Sequence, residues 1–310
     1  MGMKPKIYIF AVGCVFSALW ASAFVAGKVT LTVTDPLSLL TARFAVAGLL
    51  MVAWRLARSG WASLGKRALW FHGIILGLFN NALYLGLSFI GLKTVSPGTT
   101  VLIVSTAPFL TTGLSVLTGA PRSIRQAFGA FLGFSGVYVV LYTRMKAGSE
   151  DPYGLVLIFL GTAAFSAGTV FYRARGQHHD AVALNGIQNI VGAATLLPFA
   201  PHPLSSFAAF SDPLFLFAFS HMVVMVSILA FLIWLALVRR IGPAHAASFH
   251  LLNPIFGVTF SAIVFGTAIL PTDIIGTAIV ITGLAVVLSD TFVRSSPKPD
   301  AEALTSATID

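Results

Sequence analysis

Charge and cysteine are scarce in this chain. Of its 310 residues 9% are charged and 57% hydrophobic, with a mean hydropathy of +0.91. A soluble domain carries about 25% charged residues. The apolar stretches also lack the polar outer face of a water-exposed helix, so lipid is their solvent. Strand-period alternation with long polar loops is missing, which excludes an outer-membrane barrel. The single cysteine, Cys14, has no partner for an internal disulfide and sits in the first apolar stretch as a small packing residue. No Gly-x-Ser-x-Gly elbow and no close His/Glu metal motif occurs, so neither a metal nor a cofactor is called for. Ser220 and His221 are adjacent, which on a helix points them about 100° apart rather than at each other.

What is present is a set of apolar spans. Glycine, proline and charge clusters divide the chain into ten, roughly 7–27, 36–54, 68–91, 96–118, 125–143, 153–172, 181–200, 213–238, 243–266 and 272–291. Most are long enough for a hydrocarbon core of about 30 Å at 1.5 Å per residue. Met1–Lys6, the apolar run and Ala21-Ser22-Ala23 have the outline of a signal peptide. That segment has a repeat counterpart at 153–173, so it is expected to stay as the first transmembrane helix.

The net charge of +9 does not form a nucleic-acid surface, because the basic residues lie between spans and not on one patch. They sort by side instead. Lys4, Lys6, Arg55, Arg58, Lys66, Arg67, Arg122, Arg125, Arg173, Arg175, Arg239, Arg240, Arg294 and Lys298 fall on one side. Lys28, Lys93, Arg144 and Lys146 fall on the other, with Arg43 left inside a span. Fourteen against four places both termini in the cytoplasm and supports an even number of spans.

The chain also repeats. An offset of 145 carries Lys28 to Arg173, Asp35 to Asp180, Arg43 to Gln188, Trp20 to Phe165 and Ser17 to Thr162. An offset of 146 carries Pro97 to Pro243, Pro108 to Pro254 and Ser115 to Ser261, and one more residue carries Gly129 to Gly276 and Gly136 to Gly283. Five spans per copy force the second copy to enter the bilayer upside down, and inverted repeats of this kind mark many secondary transporters. The expected organisation is a first five-helix repeat over 1–146, a second over 147–293 and a polar cytoplasmic tail over 294–310.

Ten helices in two repeats, with Trp20-Ala21-Ser22-Ala23-Phe24 in the first span, Arg43-Phe44 in the second, and Pro97-Gly98 and Pro108 in the fourth, resemble the EamA type of the drug/metabolite transporter superfamily. The resemblance covers essentially residues 7–291. It implies a multi-pass carrier of the bacterial inner membrane, similar to exporters of aromatic and other neutral amino acids. Export of drugs or other small metabolites by the same fold is the alternative, and an intramembrane enzyme a remote one. Phe165 and Gln188 stand where a second copy of the pattern would have Trp and Arg.

In such repeats the substrate is expected near the midplane, at the repeat interface. Polar faces should point inward there, since lipid-facing polar groups are costly. Ser17, Trp20, Phe24 and Gly27 share one face of the first span, and Thr162, Phe165, Thr169 and Tyr172 share one of the sixth. Gly73, Gly77, Asn81, Tyr84 and Ser88 align in the third beside Asn80; Ser220, Ser227 and Trp234 in the eighth; Phe249, Asn253, Gly257 and Ser261 in the ninth. The candidate substrate-binding set is Trp20, Asn80, Asn81, Tyr84, Phe165, Thr169, Ser227 and Asn253. Small residues at these positions serve helix packing equally well. The buried amides need real partners, and Trp20 and Tyr84 offer ring faces with a polar handle. Trp234 is expected in the interfacial aromatic belt.

Arg43 is either a structural anchor, snorkelling or bonded to neighbouring helix ends, or the contact for a substrate carboxylate. His72, His221 and His250 are candidate titrating groups, or are simply bonded to backbone or water. Pro108 and Pro254 are candidate hinges. The Asp and Glu residues fall in loops or at span ends and not in the middle of a span, which argues against cation efflux and against a carboxylate proton relay. Phosphorylated cargo would call for two or more inward-facing cations. The expected partners are therefore a neutral or zwitterionic small molecule and the lipid bilayer. The expected mechanism is alternating access by a monomer around a pocket lined by spans 1, 3, 4, 6, 8 and 9.

Overall fold

A computed structural model describes residues 3–61, 64–119, 124–146, 150–201, 209–266 and 268–294. Arg122, Lys298 and the tail beyond residue 294 lie outside them. Every regular element among the described residues is helical. In chain order these are α1 (Met3–Thr30), α2 (Pro36–Ser59), α3 (Arg67–Leu92), α4 (Pro97–Leu117), α5 (Ile124–Lys146), α6 (Pro152–Gly176), α7 (Ala181–Phe199), α8 (Pro213–Ile241), α9 (Pro243–Phe265) and α10 (Pro271–Arg294). All but α5 and α10 are long and apolar enough to cross a membrane. The chain is a polytopic helical membrane protein.

Four of the few acidic residues start helices. Asp35, Asp151 and Asp212 each precede a proline at the first helical position, and their carboxylates accept from backbone N–H groups of the first turn. Asp180 does the same for α7. An N-cap carboxylate satisfies orphan donors and complements the positive helix end, and proline there gives up no hydrogen bond.

Two helices widen at matching places. α3 is π-helical over Gly77–Leu85 and α8 over Met222–Ala230, ranges that the 145-residue offset superposes. Such stretches are rare and cluster at functional sites. Their wider turns also change which residues share a face. Ser220, expected on the same inner face as Ser227, is therefore exposed while Ser227 is buried.

α4 and α9 are interrupted at another matching pair. α4 breaks at Ser105–Thr106 just before Pro108, and α9 tightens to a 3-10 stretch over Ser248–Leu252 just before Pro254. A proline inside a helix lacks the donor and crowds the preceding turn. The hydroxyls of Ser105 and Thr106 cover the carbonyls of Val101 and Ile103 at 2.8 and 2.7 Å.

The repeats exchange their first helices. α1 packs on α8 and α9, and α6 packs on α3 and α4. Further pairs cross between repeats, chiefly α2 with α7, α3 with α7, α4 with α9 and α5 with α10. In the last pair the glycines meet crosswise, each against the repeat counterpart of the other. A Cβ on Gly129 would lie 2.8 Å from the Gly283 carbonyl oxygen, and one on Gly136 2.5 Å from that of Gly276. Membrane helices associate by such close backbone approach, because apolar side chains gain little by leaving lipid.

Candidate functional site

Five helices, drawn from both repeats, enclose a small cavity. α1 contributes Trp20, Ala23 and Phe24, α2 Arg43 and Phe44, and α3 Asn81 and Leu85. α7 adds Asn189, and α8 adds Val226, Ser227 and Phe231. The space open to water centres is about 20 Å³, enough for roughly one water molecule. The expected lining from α4, α6 and α9 does not reach this cavity, whereas α2 and α7 do.

Arg43 is 1% exposed, so it does not snorkel. Its Nε donates to Ser227 Oγ at 2.8 Å, at the π-helical stretch of α8 and not at a helix end. The guanidinium lies 5.6 Å from the Phe44 ring centroid and 5.9 Å from that of Phe89. Its Nη1 is buried with no hydrogen-bond partner.

A chain of amides runs beside it. Asn81 Nδ2 donates to Asn189 Oδ1 at 3.2 Å, and Asn189 Nδ2 donates to Asn185 Oδ1 at 2.8 Å. Gln188 Nε2 donates to the same Asn185 oxygen at 2.7 Å, and Asn185 Nδ2 donates to the Ser227 carbonyl at 2.9 Å. Asn80 reaches Gln188 at 3.4 Å. The carbonyl oxygens of Asn80 and Asn81 are buried without partners. Asn185, Gln188 and Asn189 follow a helical i, i+3, i+4 pattern on α7. That signal stood in the sequence, where Gln188 counts only as a departure from the repeat and the two asparagines pass unnoticed.

On the other side of Trp20 the rings pack together. Trp20 Nε1 donates to Tyr84 Oη at 3.0 Å, with the two rings stacked at 8°. Phe165 lies 5.4 Å from Trp20 and 4.8 Å from Tyr84. Trp234 is 1% exposed, 5.1 Å from Phe16 and 5.2 Å from Phe165. It belongs to this inner cluster and not to an interfacial belt, because its neighbours are rings of α1 and α6. His250 caps the cluster 5.1 Å from Trp234. Its Nδ1 accepts from Asn253 Nδ2 at 2.8 Å, which leaves the proton of a neutral ring on the buried, unpartnered Nε2.

Architecture, exchanged helices and a polar midplane are all features of a carrier, and the sequence itself decides which kind. The profile of the EamA-like transporter family matches residues 6–142 and again residues 152–289. The chain belongs to this family. Among its relatives is an uncharacterized transporter of Archaeoglobus fulgidus, 26% identical over 78% of this chain and 84% of that protein. The uncharacterized transporter YvbV of Bacillus subtilis is 25% identical over 87% and 88%. The uncharacterized inner membrane transporter YedA of Escherichia coli K12 is 24% identical over 83% of each. A solved crystal structure superposes with a TM-score of 0.70 at 20% identity, over 93% of this chain and 99% of that one. As an EamA-family protein this chain is a membrane transporter and not an enzyme.

The remaining predicted residues lie outside the cavity of this EamA-family protein. Thr169 is buried and returns its hydroxyl to the Phe165 carbonyl at 2.8 Å. Asn253 holds His250. His221 pairs with Ser22 Oγ at 2.8 Å between α8 and α1, and His72 Nδ1 meets His179 Nε2 at 2.7 Å between α3 and the α6–α7 turn. Each of the three predicted histidines has a side-chain partner here.

Two larger clefts flank the centre. One, of about 460 Å³, lies among α3, α4 and α6 and includes His72, Thr118, Ala167 and Arg175. The other, of about 290 Å³, lies among α8, α9 and α1 and includes Ser22, Ala26, His221 and Val264. The repeat relates them, since Ala167 corresponds to Ser22, Phe171 to Ala26 and Thr118 to Val264.

Proposed function

We propose that the chain is a bacterial inner-membrane exporter of neutral, aromatic or large apolar amino acids, working by alternating access around the Arg43 cavity. The observation that carries this reading is the unfilled Nη1 donor of a fully buried guanidinium. No ion pair holds Arg43 among the described residues. A buried donor left unpaired costs about 1–3 kcal/mol, and more for a charged group. A carboxylate arriving with the substrate removes that cost. The unpartnered Asn81 Oδ1 accepts from the ammonium group, and Trp20, Phe24, Phe44 and Phe231 offer apolar and ring faces to the side chain.

With room for about one water the cavity is contracted, so loading requires the helices to separate. In this reading α5 and α10 also span, giving ten crossings, both termini cytoplasmic, two inverted repeats over 1–146 and 147–293, and a monomeric unit. Pro108 and Pro254 are the flexing points, and the histidines are the groups through which pH acts.

The test is counterflow of a neutral amino-acid panel in liposomes holding the purified protein. Saturable exchange of phenylalanine, tryptophan or leucine is expected. Arg43→Gln should weaken it roughly 10–100-fold, the worth of a hydrogen bond to a charged group. Exchange that survives Arg43→Gln unchanged removes the carboxylate role. Absence of flux for every amino acid favours drug or other small-metabolite efflux.

A further inference from the structure

Two cations that are repeat counterparts each bond the end of a neighbouring helix. Lys28, in the last turn of α1, donates from Nζ to the carbonyls of Leu92, Lys93 and Val95 at 2.9, 3.2 and 3.3 Å. These are the carbonyls at the C-terminal end of α3. Arg173, near the end of α6, donates from Nη1 to the Arg239 carbonyl in the last turn of α8 at 2.6 Å. The offset of 145 takes Lys28 to Arg173, and 146 takes Lys93 to Arg239. Arg239 returns the contact, its Nη2 donating to Tyr172 Oη and the His179 carbonyl at 3.3 and 3.1 Å. The last carbonyls of a helix have no intrahelical donors and carry the negative end of its dipole, so a cation is the natural partner at both places.

What makes these contacts more than helix caps is which bodies they join. α1 packs with α8 and α9, whereas α3 packs with α6, and α4 lies where the two groups join, against both α6 and α9. Lys28 ties the first group to the second through α1 and α3. Arg173 ties the same two groups through α6 and α8. The ties lie at opposite ends. Asp151, at the start of α6, bonds Thr94 beside the Lys28 tie at 2.8 Å, and Arg173 lies 22 residues further along, about 33 Å at helical rise. Between them the Trp20–Tyr84 hydrogen bond joins α1 to α3 at mid-depth.

We propose that Lys28 and Arg173 are the paired gate latches of this transporter. The groove between the two helix groups opens to one face when Lys28 releases the end of α3, and to the other when Arg173 releases the end of α8. The closed form described above has both engaged, which is why its cavity is contracted. The proposal rests on alternating access but not on the nature of the cargo.

Site-directed labelling tests it without any substrate. In a Cys14→Ala background, Ala23→Cys places one thiol on the wall of the central cavity, where Ala23 is 3% exposed. A membrane-impermeant maleimide is then offered from either face of sealed vesicles. Lys28→Gln should speed labelling about tenfold from the Lys28 face alone, the shift expected from losing a charge-assisted hydrogen bond. Arg173→Gln combined with Arg239→Gln should do so from the opposite face alone. Lys28→Arg should keep the slow labelling of the parent.

Labelling that is unchanged, or that rises equally from both faces, overturns the proposal, because a merely structural cap would loosen the protein without choosing a side. Should Lys28→Gln fail to accumulate, the sidedness of the Arg173/Arg239 variant decides alone. Failure of amino-acid counterflow would leave this result untouched.

Discussion

A guanidinium with an unfilled donor at the bottom of a cavity is costly to keep, and Arg43 is held there by one neutral hydroxyl and two ring faces. The polar residues around it are mostly satisfied by each other, through the amides of α7, so the unfilled atoms stand out: Arg43 Nη1 and the carbonyl oxygens of Asn80 and Asn81. At the edge of the membrane a different residue pair carries a pH dependence. His72 and His179 approach to 2.7 Å, which allows one proton between the facing nitrogens and not two. Burial first, then the neighbouring His72, Lys66 and His178 charges, holds the His179 imidazole below its ordinary value. The unfolded chain therefore takes up this proton near pH 6.5 while the folded chain resists it, so folded stability is full above that pH and falls as the pH drops below it. A melting series in detergent from pH 7.5 to 5.5 should show this decline, and His179→Asn should flatten it. An equal slope in the variant would place the pH sensitivity elsewhere.

At the level of helices, the sequence was most legible where a rule is local. Glycine, proline and charge clusters marked the span boundaries, and Pro108 and Pro254 marked two interruptions. Register was less legible, because the π-helical stretches of α3 and α8 shift the faces downstream. Ser220 accordingly turned outward, and Trp234 joined the inner rings. The glycine matches of the repeat acquired a meaning that the alignment did not contain, since these glycines of α5 and α10 approach crosswise, Gly129 against Gly283 and Gly136 against Gly276. Gly136→Ile should consequently cost about 1–3 kcal/mol, as overpacked sites do, because the atom in the way is a backbone oxygen that cannot turn aside. Thermal unfolding of that variant beside Ala127→Ile, one position pair away from the glycine stripe, would show whether the close approach is responsible. Equal melting of the two would argue that it is not.

For the molecule as a whole, helix exchange is the governing fact. α1 completes the group built by α8 and α9, and α6 the group built by α3 and α4, so neither half of the chain buries its own surfaces. Residues 1–146 expressed alone should be degraded, whereas co-expression of 1–146 and 147–310 as separate chains should restore a protein that co-purifies. Stable accumulation of the first half by itself would contradict the exchange.

The sequence alone determined the membrane environment, the repeat and the family, because hydropathy, charge sidedness and internal similarity are sums over local residues. It also pointed to Trp20, Arg43, Asn81 and Ser227, which meet at one cavity. Only the tertiary structure decided that Arg43 finds Ser227, 184 residues away, that the amides of α7 reach the cavity, and that Lys28 and Arg173 bond the ends of α3 and α8. Such contacts depend on which of several equally apolar helices pack side by side. Apolar periodicity says that a face is buried, but not against which partner, and lipid offers no hydrophobic preference to choose among them.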